Sequence, residues 1–287
     1  MHKPSTARNL ASAFVAQTEA LHHIDLPGDG PPIVLVHGLA SCLRLWDGVA
    51  ARLNARGHRV VACDLRGHGL SPKPDGPYDV ATVAADVLAL ATELNLGPFL
   101  VAGQSYGATV ALQMAADRPE RAERVVCVDG GFLDLGHRYP DWERCRRELS
   151  PPDLLGRPLA ALRLRMGAQR PGWPPEALEG QLACFEVRED GTVAPWLTKA
   201  RHIEVLRGLW EVDAPALWAR MTVPVLLVAA ERPGSQARTD RHAGVARCRA
   251  ILAEHTLVSE MWMAGDHDLH AEQPEPIARL ISDWAGG

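Results

Sequence analysis

The chain has 287 residues, 47% hydrophobic and 23% charged, with a formal net charge of −5. That is enough apolar material for a sizeable core and excludes a disordered chain. The basic residues form no stripe, which excludes nucleic acid as an expected partner, and no stretch approaches the roughly 20 apolar residues that span a bilayer, which excludes a membrane one. The cysteines (Cys42, Cys63, Cys127, Cys145, Cys184 and Cys248) include no CxxC pair. Neither a zinc knuckle nor a dithiol redox motif is expected, and the thiols are read as reduced. The N-terminal stretch has a charged start and an apolar run broken by Ser12, unlike a secretory signal, so a cytoplasmic location is expected. Oligomeric state has no sequence signal.

In chain order, residues 14–25 read as an antiparallel edge pair. Short apolar runs follow at 33–36 (IVLV), 59–63 (RVVAC), 99–102 (FLVA), 124–128 (RVVCV), 223–229 (VPVLLVA) and 256–263 (TLVSEMWM). Continuous apolarity without alternation suits strands buried on both faces, as in a parallel sheet. Helical patterns separate them: 78–96 with apolar residues at helical spacing, 108–118 ending before Pro119, and 272–284. This alternation predicts an α/β fold, a mostly parallel sheet with helices on both faces. It breaks between 132 and 216, a proline-rich stretch that holds Trp142, Trp173, Trp196 and Trp210. That segment reads as an inserted helical cap within a core of 1–131 and 217–287. Such an insertion lies over the carboxyl ends of the strands, where α/β proteins bind ligands.

The chemistry is carried by Gly103-Gln104-Ser105-Tyr106-Gly107, which follows the FLVA strand and opens a helix. This is G-x-S-x-G in its required setting. The turn is so tight that its neighbours carry almost no side chain, and the helix N-terminus favours developing negative charge beside the serine. Strand 33–36 ends in His37-Gly38-Leu39. An oxyanion hole takes one N–H from the residue after the nucleophile and one from the loop after an earlier strand, so Tyr106 and Leu39 are the candidates.

With these motifs, Asp64-Leu65-Arg66-Gly67-His68-Gly69-Leu70-Ser71 and His267-Asp268-Leu269-His270-Ala271-Glu272-Gln273-Pro274 complete a pattern. The chain resembles the α/β-hydrolase fold family, in particular its serine esterases and lactonases with a cap domain. The resemblance implies a sheet of about eight strands, Ser105 as nucleophile and His267, just before the last helix, as general base. His255 and His270 are the other late histidines. The Asp64–Ser71 segment is implied to be a structural turn. His22, His23, His58 and His68 read as surface or turn residues. His267, Asp268 and His270 form no complete metal-ligand set, so no metal and no cofactor are expected.

The acid stays open. The family's usual position, after the strand VPVLLVA, holds Pro233. Asp129 ends the previous strand, from which pancreatic-type lipases and certain lactonases take theirs. Glu231 and Asp240 are the alternatives. A serine at the elbow argues against epoxide hydrolases and haloalkane dehalogenases, which resemble this fold but need a carboxylate there. The expected activity is cleavage of a small, apolar carboxylic ester or lactone through an acyl-enzyme. C–C bond hydrolysis, acyl transfer, cofactor-free peroxidation and ligand sensing remain as alternatives on the same scaffold. His37, Trp142, Trp173, Trp196 and Trp210 are the candidate pocket residues.

Overall fold

The computed structural model describes residues 20–231, 236–251 and 257–286. In chain order its strands are β1 (His23–Leu26), β2 (Gly30–Val36), β3 (His58–Cys63), β4 (Phe99–Gln104), β5 (Ala122–Val128), β6 (Phe185–Val187), β7 (Val193–Pro195), β8 (Val225–Glu231) and β9 (Val258–Ala264). Its helices are α1 (Asp47–Asn54), α2 (Val80–Glu93), α3 (Tyr106–Asp117), α4 (Leu135–Arg138), α5 (Trp142–Leu149), α6 (Leu159–Gln169), α7 (Pro175–Leu182), α8 (Lys199–Trp210), α9 (Ala214–Ala219), α10 (Gln236–Ile251), α11 (Leu269–Glu272) and α12 (Pro274–Gly286), with a 3-10 turn at Leu43–Trp46.

Seven strands form one sheet in the order β1-β3-β2-β4-β5-β8-β9. All pairs are parallel except β1 on β3. About eight strands were expected. The expected edge pair over 14–25 contributes only β1 to the described residues, and 1–19 lie outside them.

The central strands are apolar over their inner residues because both faces are covered, whereas the edge strands β1 and β9 carry His23, Asp25, Ser259 and Glu260. On one face Val34, Val61, Val101, Val125 and Leu227 pack in a core with residues of α2 and α3. On the other, Ile33, Leu35, Val60, Leu100, Val126 and Val228 pack with residues of α1 and α12. Alternate residues thus feed opposite cores, and a polar residue at either parity would be buried.

The chain runs from β2 outward to β3, then returns across β2 to β4. The strand order reverses there, and the carboxyl ends of β2 and β4 flank the switch point where α/β sheets bind ligands. Between β5 and β8 the chain leaves the sheet for α4 to α9. Asp141, Thr198 and Asp213 cap α5, α8 and α9. The sequence reading of this segment as helices and loops missed the β6–β7 hairpin, whose three-residue strands are too short to show a period. Its boundary at 216 also falls inside α9, where Leu217 and Trp218 belong to the sheet-side core. No helix among the described residues is long and apolar enough to cross a membrane.

Candidate active site

Ser105 sits between β4 and α3 with φ 54 and ψ −117. This backbone is sparsely populated by L-residues and costs of order 1–3 kcal/mol, which the surrounding packing must hold. The glycines show how it is held. A Cβ on Gly103 would run into the Gly107 carbonyl, and one on Gly107 into the carbonyls of Val36 and His37. The elbow is therefore pressed against the end of β2, and the G-x-S-x-G spacing records that contact.

Parallel pairing brings the other functional groups to the same edge. Ser105 N–H donates to the Val128 carbonyl at 3.0 Å, and Asp129 N–H donates to Val228 at 2.7 Å. Asp129 thus lies one strand over from Ser105, with φ 43. Gly130 follows it, where a Cβ would lie 2.6 Å from the Ser105 Cα. His267 comes from the loop after β9. That loop is pinned by Gln104 Nε2, which donates to the His267 carbonyl at 3.1 Å, and by Asp266 N–H, which donates to Glu272 Oε2 at 2.8 Å.

The three side chains form a hydrogen-bonded row. Ser105 Oγ donates to His267 Nε2 at 2.9 Å, and His267 Nδ1–H donates to Asp129 Oδ2 at 2.6 Å. Asp129 is buried, and its Oδ1 accepts the Ala230 N–H at 3.0 Å. Burial works to raise the Asp129 pKa, but the hydrogen bonds from His267 and Arg241 outweigh it and hold the carboxyl below its ordinary range. Burial works to lower the His267 pKa, and the Asp129 hydrogen bond and charge outweigh it, so the imidazole is more basic than usual. The His267 side chain keeps 42% of its surface open. Such a row can deprotonate the serine, with the carboxylate fixing the tautomer and stabilising the imidazolium that forms.

A cavity of about 810 Å³ lies over the row, lined among others by Leu39, Ser105, Met166, Phe185, Trp196 and His267. Much of its wall comes from the segment between β5 and β8.

The structure brings Ser105, His267 and Asp129 together and puts Leu39 at the cavity, with Tyr106 as the first residue of α3. Glu231 ends β8, in register with Ala264. The Asp240 side chain, Pro233 and His255 lie outside the described residues. The pocket reading is corrected at four positions. Of the four tryptophans only Trp196 lines the cavity. Trp142 and Trp210 pack on each other with ring centroids 5.6 Å apart, and Trp173 lies under the Arg170 guanidinium at 4.7 Å. All three pack, partly buried, against small apolar clusters instead. His37 is buried, its Nε2 accepting the Leu65 N–H at 3.0 Å.

His58, the first residue of β3, is buried rather than at the surface, and His68 lies in the turn as read but is buried there. His68 Nε2 accepts the Ala40 N–H at 3.3 Å, which ties the Leu39 loop to the DLRGHGLS turn. Asp64 in that turn accepts N–H groups from Leu43 at 2.8 Å and Leu70 at 3.0 Å. Sequence reasoning missed these supports, and Gln104, Asp268 and Arg241 beside the row. Asp268 lines the cavity next to His267, and burial raises its pKa. Position beside a recognised motif could have flagged Gln104, Asp268 and His68; nothing flags Arg241. Among the described residues no three His, Cys, Asp or Glu side chains are grouped to hold a metal ion.

Residues 31–181 match the profile of the α/β-hydrolase fold. The chain belongs to the α/β-hydrolase fold family. The match to the first curated relative, an uncharacterized protein of Mycobacterium bovis, is 38% identical over 106 residues and spans only 37% of this chain and 31% of that protein. A longer match, 27% identical over 258 residues, covers 90% of this chain and 88% of the 2-(acetamidomethylene)succinate hydrolase of Mesorhizobium japonicum. A haloalkane dehalogenase of Mycolicibacterium paratuberculosis is 36% identical over 121 residues, 41% of this chain and 40% of that enzyme. Among solved structures, an E-2-(acetamidomethylene)succinate hydrolase superposes with a TM-score of 0.75 at 24% identity, covering 92% of this chain and 94% of that one. At that identity the superposition speaks for the fold.

Proposed function

We propose that this α/β hydrolase is a serine hydrolase that cleaves a carboxylic ester or lactone of a largely apolar substrate through an acyl-enzyme on Ser105. The observation that carries the reading is the continuous row from Ser105 Oγ through His267 to Asp129. His267 takes the serine proton as Oγ attacks the carbonyl carbon. The Leu39 and Tyr106 N–H groups receive the oxyanion, the latter being an N-terminal donor of α3 without an intrahelical acceptor. His267 returns its proton to the leaving oxygen, then activates water for deacylation. Serine at the elbow argues against haloalkane dehalogenase chemistry, which needs a carboxylate nucleophile at that position.

The inserted segment 132–216 acts as the cap and supplies the apolar wall. Met166, Phe185 and Trp196 favour a substrate bulkier than the small one expected from sequence, since about 810 Å³ accommodates a drug-sized ligand. A second reading is favoured by the nearly full-length match to a 2-(acetamidomethylene)succinate hydrolase: the same row attacking a different carbonyl. A panel of p-nitrophenyl esters of increasing acyl bulk and of lactones, followed by acid release, tests the choice. The proposal expects turnover that favours the bulkier apolar esters or lactones; no turnover of any panel member by folded protein refutes it.

A further inference from the structure

One cation outside the row touches it. Arg241, on α10, donates Nε–H to Asp129 Oδ1 at 2.7 Å and Nη2–H to Asp129 Oδ2 at 2.6 Å. This is a two-pronged grip on the carboxylate that holds His267. The carboxylate side chain is 0% exposed and the arginine 16%. A planar fork binds a carboxylate in one orientation, and the charges act through a poorly screened interior. With the Ala230 N–H on Oδ1 and the His267 Nδ1–H on Oδ2, each oxygen of Asp129 accepts two hydrogen bonds. Any rotation short of the half-turn that exchanges the two equivalent oxygens breaks some of the four.

We propose that Arg241 is a positioning residue for the Ser105 reaction: it locks the rotation of Asp129 and, as a fixed positive charge behind the carboxylate, limits how basic His267 becomes. The inference rests on reading Ser105, His267 and Asp129 as the acyl-transfer site. Its logic is electrostatic. Unopposed, Asp129 stabilises the imidazolium, and a base too strongly stabilised stays protonated at neutral pH and cannot take the serine proton. Among the described residues the other groups around His267 do not duplicate this brake. Asp268 and Asp266, in its own loop, are acidic. Glu231 ends β8, beside the strand that leads into that loop. His270 on α11 is held neutral by burial, with its pKa pushed down to about 3, and His37 at the end of β2 is buried and lowered too. Arg170 faces Asp268 at 3.8 Å. Arg241 acts on His267 in the lowering direction, against Asp129 and Asp268. The competing account is that Arg241 merely anchors α10.

The pH dependence of fluorophosphonate labelling of Ser105 separates the two, because labelling needs the nucleophile and base but not the natural substrate. In Arg241→Met the acid limb should move up by about one pH unit, the scale of a neighbouring charge at this range. The plateau rate should fall as Asp129 rotates. Arg241→Lys, which restores charge without the fork, should return the limb towards wild type and leave the plateau low. An unmoved limb in folded Arg241→Met overturns the inference while leaving the hydrolase reading intact. No labelling of the wild type at any pH overturns both. Should Arg241→Met fail to fold, the wild type still answers by NMR: the Arg241 Nε resonance should titrate with the His267 inflection, and a flat trace overturns the coupling.

Discussion

Replacing Asp129 by asparagine separates shape from charge at the centre of the site. The four hydrogen bonds on Asp129 come from Ala230 N–H, two arms of Arg241 and His267 Nδ1–H, all donors. An amide has one acceptor oxygen. Each oxygen position meets two donors, but of the four only His267 can become an acceptor, by moving its proton to Nε2, so the oxygen settles at the Oδ1 position facing Ala230 N–H and Arg241 Nε–H and the NH₂ group faces His267. A donor opposite Nδ1 selects the tautomer with the proton on Nε2, which cannot accept from Ser105 Oγ. Loss of the working tautomer costs on the order of 10⁴ in kcat, about 5.5 kcal/mol in barrier. The substitution also takes the Asp129 charge away from the Arg241 fork. Breaking a buried pair on one side costs about 3 kcal/mol, discounted here because the arginine is 16% exposed. The assay is kcat/KM for p-nitrophenyl butyrate at a pH above the His267 inflection, beside Glu231→Gln, with urea unfolding to show that each variant is folded. Glu231→Gln should stay within a few-fold of wild type. Asp129→Asn within tenfold of wild type, or a collapse in Glu231→Gln instead, would refute the reasoning.

The raised His267 pKa fixes the acid side of the rate profile: activity requires the neutral imidazole, so kcat/KM should fall with decreasing pH around an inflection above the ordinary histidine value, and a profile flat through that range contradicts it. Buried His270 has its pKa depressed to about 3 and stays neutral in the folded protein. The unfolded chain takes up that proton first, so stability should drop as pH falls below about 6.5, at up to roughly 1.4 kcal/mol per unit, until the folded value is reached. His270→Leu should lessen the loss of urea midpoint between pH 7 and pH 5; an equal loss in both proteins speaks against it. Trp196→Ala should raise KM for bulky apolar esters roughly tenfold through lost apolar contact, whereas Trp142→Ala should lower Tm and leave KM alone. The reverse pattern would put the substrate against the wrong wall.

The central strands were legible because the sheet is covered on both faces there, which turns their inner residues into apolar runs. Ser105 and His267 were legible because their local geometry demands fixed neighbours: small residues at the elbow and a short loop between β9 and α12. The acid was not fixed by local sequence. β5 and β8 lie side by side, so a carboxylate at the end of either was a candidate, and only the assembled sheet shows Asp129 hydrogen-bonded to His267. Arg241 left no mark because Asp129 is distant in sequence and the residue is one of four arginines in α10, with nothing local to single it out. The tryptophans misled for a related reason. An aromatic that lines a cavity and one that docks a helix have the same identity, and Trp142 and Trp210 differ from Trp196 only in which face the folded chain gives them.

The central claim is that Ser105 carries the acyl group. Wild-type protein quenched during turnover of p-nitrophenyl butyrate and examined by intact mass and peptide mapping tests it most directly. The account predicts a butyryl adduct on the Ser105 peptide, absent together with turnover in Ser105→Ala. An adduct on another peptide, or undiminished turnover in Ser105→Ala, would contradict it.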